Sequence, residues 1–250
     1  MGKYIYLTFI LFFIGKINSN VLLAQSTRSD SSSQQNAFNN AVTAFNASMG
    51  KQSQLYNGPE YYLYSPIIKG NAYFSEVNTF TSGSVYYNDV FYSGVPMLYD
   101  LNKDEVVVLL YNHFSRFSLI QDKVKWFDFL GHHFININAD TININSGVKS
   151  GFYDEIYNGK TKVLVKRVKD IQTNNGGLNG LESYFNAYTE YYFLKAHVYY
   201  SVSGQGSFLE ILKDKRKELQ EYIKSNKIKF RKTPEDALVK IAAYYDHLTK

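Results

Sequence analysis

From Glu60 to about Ser203, apolar and polar residues alternate in short runs separated by Asn, Asp and Gly. That is the pattern of consecutive β-strands joined by tight turns. Val85-Tyr86-Tyr87 and Val90-Phe91-Tyr92 flank Asn88-Asp89 as a hairpin. Val95–Tyr99 and Glu105–Leu110 flank a polar turn, Asp100–Asp104, and Val124–Leu130 and His133–Ile137 flank Gly131. The clearest hairpin is Phe152–Tyr157, Asn158-Gly159, Lys160–Val168, because Asn-Gly supplies positive φ at both positions of a type I′ turn. A two-residue turn there pairs Tyr157 with Lys160, Glu155 with Lys162 and Tyr153 with Leu164. That face is mixed and charged and is expected to meet water. Phe152, Asp154 and Ile156 against Thr161, Val163 and Val165 are expected to meet the core. Past the loop Asn174–Gly180, Glu190–Lys195 and His197–Val202 form a further pair.

Both ends of the mature chain switch to helical period. Ala37, Phe38, Ala41, Val42, Phe45 and Met49 predict an amphipathic helix over Gln34–Ser48. After Gly204, Ser207 with Glu210 reads as a capping box, and Phe208, Leu212, Leu219 and Ile223 follow one face. Thr233-Pro234-Glu235-Asp236 is a helix start, with a proline and two acids at the positive dipole end. Leu238, Ile241, Ala242, Tyr245 and Leu248 form its apolar stripe. The expected fold class is therefore α+β. Its body is an antiparallel β meander, a curved sheet or half-open barrel, with one short N-terminal helix and two C-terminal helices.

The first residues do not belong to this fold. Lys3 precedes an apolar run, Ile5–Ile14, too short to span a bilayer as a helix, and Ala24 offers a small residue for cleavage. Residues 1–24 read as a signal peptide and residues 25–36 as a disordered polar tether. Residues 37–203 form the N-terminal helix and β domain. Residues 204–250 form a basic helical pair packed on the sheet. Cleavage takes away Lys3 and Lys16 and no acid, so the net charge of +5 becomes +3. The remaining excess sits in the helical tail, above all in Lys213–Lys232. The chain has no cysteine, which removes disulfides, thiolate metal sites, thiol nucleophiles and a lipidated N-terminal cysteine.

Candidate chemistry is sparse. His132-His133 is the one histidine pair, and neighbours in a strand point to opposite faces, so the two do not share a metal. No nucleophile elbow and no phosphate loop is present. Asp100, Asp154 and Glu155 are the acids that a carboxylate-dependent hydrolase would use, provided two of them converge across one cleft. Asp154 falls on the apolar face; strand-end exposure is the reading favoured for it, and if buried it needs a partner. Lys213, Lys215, Arg216 and Lys217 head the basic run and fit an acidic glycan, a membrane surface or an envelope protein, against the plainer reading of a solvated helix face. No cofactor, metal or nucleic acid is implied. Many of the 23 Tyr and 18 Phe occur as adjacent pairs, among them Tyr61-Tyr62, Tyr86-Tyr87, Tyr191-Tyr192 and Tyr199-Tyr200; in a strand such a pair puts one ring in the core and one outside, so about half are expected as core and half as ladders or a contact surface.

Gly83–Tyr92, Val95–Asp100, Asp104–Val108, Gly151–Tyr153 and Tyr157–Lys160 together resemble uncharacterised exported β-rich proteins common in Bacteroidetes-type bacteria, as do Leu212–Leu219, Tyr244–Asp246 and the Ala24-Gln25 junction. The resemblance implies an envelope location, periplasmic, outer-membrane-associated or secreted, and brings no catalytic residue, substrate or cofactor. The expectation is an exported protein that binds an apolar ligand or an envelope partner without catalysis. The alternatives are a glycan or ester hydrolase, and a structural module of an envelope assembly.

Overall fold

The computed structural model describes residues 31–49, 53–139, 147–175 and 180–249. The expected signal peptide, residues 1–24, lies outside them. Helix α1 (Ser31–Met49) is followed by strands β1 (Thr81–Tyr87), β2 (Val90–Asp100), β3 (Glu105–Leu109) and β4 (Arg116–Ser118). Then come β5 (Val124–Phe129), β6 (His132–Ile137), β7 (Gly151–Asn158), β8 (Lys162–Asn175), β9 (Leu181–Lys195) and β10 (Val198–Val202). Helices α2 (Gln205–Ile211), α3 (Arg216–Ser225) and α4 (Pro234–Leu248) end the chain. The ten strands make one antiparallel, unclosed sheet in the order β10-β9-β8-β7-β6-β5-β1-β2-β3-β4. The α+β class and the meander are thus present, with one departure from sequential pairing. Strand β5 pairs with β1 rather than β4. The outer edge of β4 is already taken by the chain around Glu60, with Tyr61 N–H donating to Arg116 O and Ser118 N–H to Pro59 O.

Three hairpins turn through two residues that both have positive φ: Asn88-Asp89, Leu130-Gly131 and Ala196-His197. The Asn158-Gly159 hairpin differs from its expected register. Asn158 pairs with Lys162, Tyr157 with Val163 and Glu155 with Leu164, with an irregularity at Ile156. The cause is tertiary. Asp246 of α4 accepts from Thr161 N–H (3.0 Å), Thr161 Oγ1 (2.8 Å) and Tyr157 Oη (2.9 Å), which holds the turn in a wider loop. A Cβ on Gly159 would lie 2.5 Å from Asp246 Oδ2, so glycine is needed there for close approach rather than for a type I′ turn. The expected solvent face is also largely covered: Tyr153 and Leu164 are as buried as Phe152 and Val163.

The sheet curls so that the β2–β3 turn reaches β8. Where β7 has ended, Leu101 O accepts from Lys169 N–H and Asn102 Nδ2 donates to Lys169 O. Rings fill the concave side. Phe127 and Phe134 stack at 4.7 Å, and Tyr99 and Phe152 meet them edge-on. Offset and edge-to-face contacts of this kind add to the burial of large apolar surface. The aromatic excess of the sequence is therefore first a core. At the β7–β10 end, the same side is covered by Phe208, Leu212, Leu219, Leu238, Ile241 and Ala242 packed on Val163, Phe193 and Val202.

The helical ends differ in detail from the expectation. Helix α1 starts at Ser31 and so takes in residues 31–36 of the expected tether, aided by the i,i+4 bond from Gln35 to Asn39. It lies along β2, with Thr43 Oγ1 2.8 Å from Ser93 Oγ. The first expected C-terminal helix is two. Asp214 bonds Lys195 (2.7 Å) and Tyr245 (2.9 Å), and a 3₁₀ turn, Lys213–Lys215, separates α2 from α3. Ser207 is the third residue of α2 rather than its cap; its Oγ accepts from Ser203 N–H (3.0 Å) and Gly204 N–H (3.1 Å). Helix α4 starts at Pro234 behind Thr233, where the proline and the two acids place it.

Candidate functional site

The convex side of the sheet over β2, β1, β5 and β6 carries two neighbouring rows of side chains. Antiparallel register and alternation put residues two apart on the same face. One row is apolar: Phe91 pairs with Tyr86, Tyr86 with Trp126, and Trp126 with Ile135. Tyr86 and Trp126 stack at 5.9 Å and 22°, and Phe91 meets Trp126 at 5.7 Å. All four are half-buried, so each shows part of its surface to solvent. The other row is polar: Ser93, Ser84, Asp128 and His133 are successive cross-strand partners. Asp128 Oδ1 lies 2.6 Å from His133 Nδ1, and Ser84 Oγ donates to Asp128 Oδ2 (3.2 Å). The His133 ring also packs 5.4 Å from Trp126, which ties the rows together. Lys125, the irregular position where β5 shifts register against β1, holds its ammonium 5.5 Å from the Tyr86 ring. With strands about 4.8 Å apart, the four-strand platform is about 14 Å across. Helix α1 stands beside it at Ser93.

The residues singled out in the sequence do not assemble into one site. His133 belongs to the platform, while His132 points the opposite way, to the concave side, as strand alternation requires. There, His132 Nδ1 lies 2.8 Å from Asp154 Oδ2. Asp154 is only 1% exposed, which corrects the favoured strand-end exposure. It is partnered: Arg167 donates to it from Nε (3.2 Å) and Nη2 (2.6 Å), and reaches Glu235 in the first turn of α4 at 2.8 and 3.0 Å. Burial opposes the Arg167 charge, but the bonds to Glu235 and Asp154 outweigh it and raise the guanidinium pKa. This chain of charges fastens the helical layer to the sheet.

Asp100 is also fully buried and fully used. Tyr61 Oη (2.8 Å), Tyr64 Oη (2.9 Å), Asn102 N–H (2.9 Å) and Lys103 N–H (3.1 Å) all donate to it. Burial, the Tyr73 hydroxyl and the Asp100 charge raise the Tyr61 pKa, so its proton stays on as a donor. Glu155 bonds Lys162 at 2.7 Å, the pair the sequence suggested, though in a shifted register and with the carboxylate nearly buried. Asp100 at the end of β2, Asp154 on the concave side and Glu155 on the convex side are each bonded to different partners and do not converge on one another. Lys213, Lys215, Arg216 and Lys217 sit at the α2–α3 junction; Arg216 pairs with Glu210 (2.8 Å) and Lys215 with Glu218 (3.6 Å). Among the described residues, no group of three or more His, Asp or Glu is placed to hold a metal ion.

Sequence reasoning missed Trp126, Tyr86, Ser84 and Asp128. Alternation could have put Tyr86 and Trp126 outside, but their adjacency depends on β5 crossing back to β1, which no local signal announces. The fold and this surface define an open antiparallel sheet with an aromatic platform on its convex side. No protein-family model, no curated protein and no solved structure matches the chain.

Proposed function

We propose that this is an exported cell-envelope protein that binds a glycan, without catalysis, on the convex platform. The observation that carries the reading is an apolar row, Phe91-Tyr86-Trp126, running beside a hydrogen-bonding row, Ser84-Asp128-His133. A pyranose ring has the same division: a face of C–H groups that lies on an aromatic ring, and a rim of hydroxyls that a carboxylate, an imidazole and a hydroxyl can bond. The concave interior is filled by rings, which leaves no room for a ligand inside the curl there and favours an outer surface. The buried acids are occupied by structural partners, which favours binding over hydrolysis.

Trp126 is the one tryptophan of the chain, so its fluorescence reads the platform directly. Titration with dextran, xylan and chito-oligosaccharides is expected to shift that emission for at least one of them. Trp126→Ala, followed by calorimetry, is expected to lose about 2 kcal/mol of binding, roughly thirtyfold in Kd. No response from any of the three glycans overturns the platform reading, and release of reducing ends from a bound glycan replaces it with the hydrolase. Export has its own check. The mature protein is expected to begin at Gln25, and a retained Met1 on the exported protein contradicts cleavage.

A further inference from the structure

A second surface, remote from the platform, is built from charge. Between the start of α2 and the loop joining α3 to α4 lies a groove of about 820 Å³. Tyr191, Ile228 and the buried Phe230 form its base, and the exposed Lys229, Arg231 and Lys232 form its rim. Gly204 and Gly206 border it, and a Cβ on either would meet nothing within 4 Å, so the glycines leave clearance there rather than serving close packing.

The electrostatics separate this groove from the rest of the basic tail. At the α2–α3 junction Lys215 and Arg216 are paired with acids and Lys213 and Lys217 are not; among the described residues Lys224, Lys227, Lys229, Arg231 and Lys232 form no ion pair at all. The nine residues Lys224–Lys232 include no acid. The two acids that follow are committed elsewhere: Glu235 to Arg167, and Asp236 to Lys240. The loop is nonetheless held in place. Phe230 is sunk into the helical core, and Lys229 O accepts from Lys232 N–H and Thr233 N–H. A fixed, concave, uncompensated set of cations concentrates an anionic partner rather than merely solvating a helix.

We propose that this groove binds an acidic polysaccharide, a sugar chain carrying a carboxylate or sulfate at regular intervals. Its concavity suits a chain better than a flat bilayer. Of the two rings at its base, Phe230 is buried and Tyr191 half-buried, so the groove lacks the row of exposed aromatic rings on which successive nucleobases stack.

The test uses the full mature chain and polygalacturonate as the probe. Binding is expected to weaken as salt rises. The triple variant Lys229→Gln/Arg231→Gln/Lys232→Gln is expected to weaken it about tenfold or more, with an unchanged melting temperature because all three side chains are exposed. Loss of polygalacturonate binding in Trp126→Ala but not in the triple variant would place the polymer on the platform and overturns the proposal. Equal binding by the triple variant overturns the proposal. So does tighter binding of phosphatidylglycerol vesicles or of an oligothymidylate that the triple variant abolishes, because the groove would then serve a lipid surface or a nucleic acid.

Discussion

Replacing Arg167 by methionine is expected to cost about 3–5 kcal/mol of folding stability, read as a lower urea midpoint and melting temperature. The Arg167 side chain is 16% exposed and the Asp154 side chain 1%. Removing the guanidinium leaves Asp154 in the apolar concave face with His132 as its remaining side-chain partner. It also releases Glu235, one of the polar contacts that fasten α4 to the sheet beside those of Asp246. The double variant Arg167→Met/Asp154→Leu separates the two contributions. If the loss comes from an uncompensated buried charge, the double variant recovers much of it, because neutral residues of similar volume are tolerated where an unpaired ion is not. A double variant as unstable as Arg167→Met would show that the charge chain itself, and not the stranded carboxylate, holds the helices on the sheet.

Asp104→Ala is expected to be comparably damaging, at about 3–5 kcal/mol, by opening the curl of the sheet. Asp104 sits at the end of the β2–β3 turn, and its carboxylate gathers groups from four other places. Tyr99 Oη donates to it at 2.7 Å, Lys166 Nζ of β8 at 2.5 Å, Phe152 N–H of β7 at 3.1 Å and Gln121 Nε2 at 3.2 Å. Lys166 is 8% exposed, and without Asp104 its ammonium keeps, among the described residues, Phe152 O and the Tyr153 ring. Asp104→Asn keeps one acceptor oxygen, enough for Tyr99 or for Phe152 but not for both, since they bond different carboxylate oxygens, and it drops the charge facing Lys166, so an intermediate loss is expected. Burial and the Asp104 carboxylate both raise the Tyr99 pKa, which keeps that hydroxyl protonated as a donor to the carboxylate. Gly151 gives this junction its room: its φ is +137°, and a Cβ there would fall 2.1 Å from Asp104 Oδ2. Unaltered stability of Asp104→Ala by urea denaturation would mean that backbone pairing at Leu101 and Lys169 closes the curl unaided.

These two variants mark where local reading stops. Asp104 reads in the sequence as a turn former, which it is, but its partners lie 48 and 62 positions further along the chain. Asp154 was visible as an acid on an apolar strand face. Its fate turned on Arg167 across the β7–β8 pair and on Glu235 in a helix 81 residues away. Exposed strand ends and buried ion pairs leave the same local pattern, and the choice between them is made by what packs on that face.

The sequence by itself determined the elements whose causes are local. Alternation and turn residues set the hairpin at Asn88-Asp89 and marked Gly131 as the β5–β6 turn, which Leu130, expected in the strand, joins at positive φ; proline with two acids set the start of α4. The opposed directions of His132 and His133 follow from strand geometry alone. Tertiary structure decided whatever depends on a partner distant in the chain. Asp246 widened the Asn158-Gly159 turn and shifted its register, although Asn-Gly is the strongest short-range hairpin signal in the chain. The return of β5 to β1 placed Trp126 on Tyr86 and Asp128 on Ser84, and so made a platform from residues that are individually ordinary. The physical reason is the same in both cases. A local preference of about 1 kcal/mol yields to several simultaneous long-range contacts, and those contacts exist only once the sheet has formed.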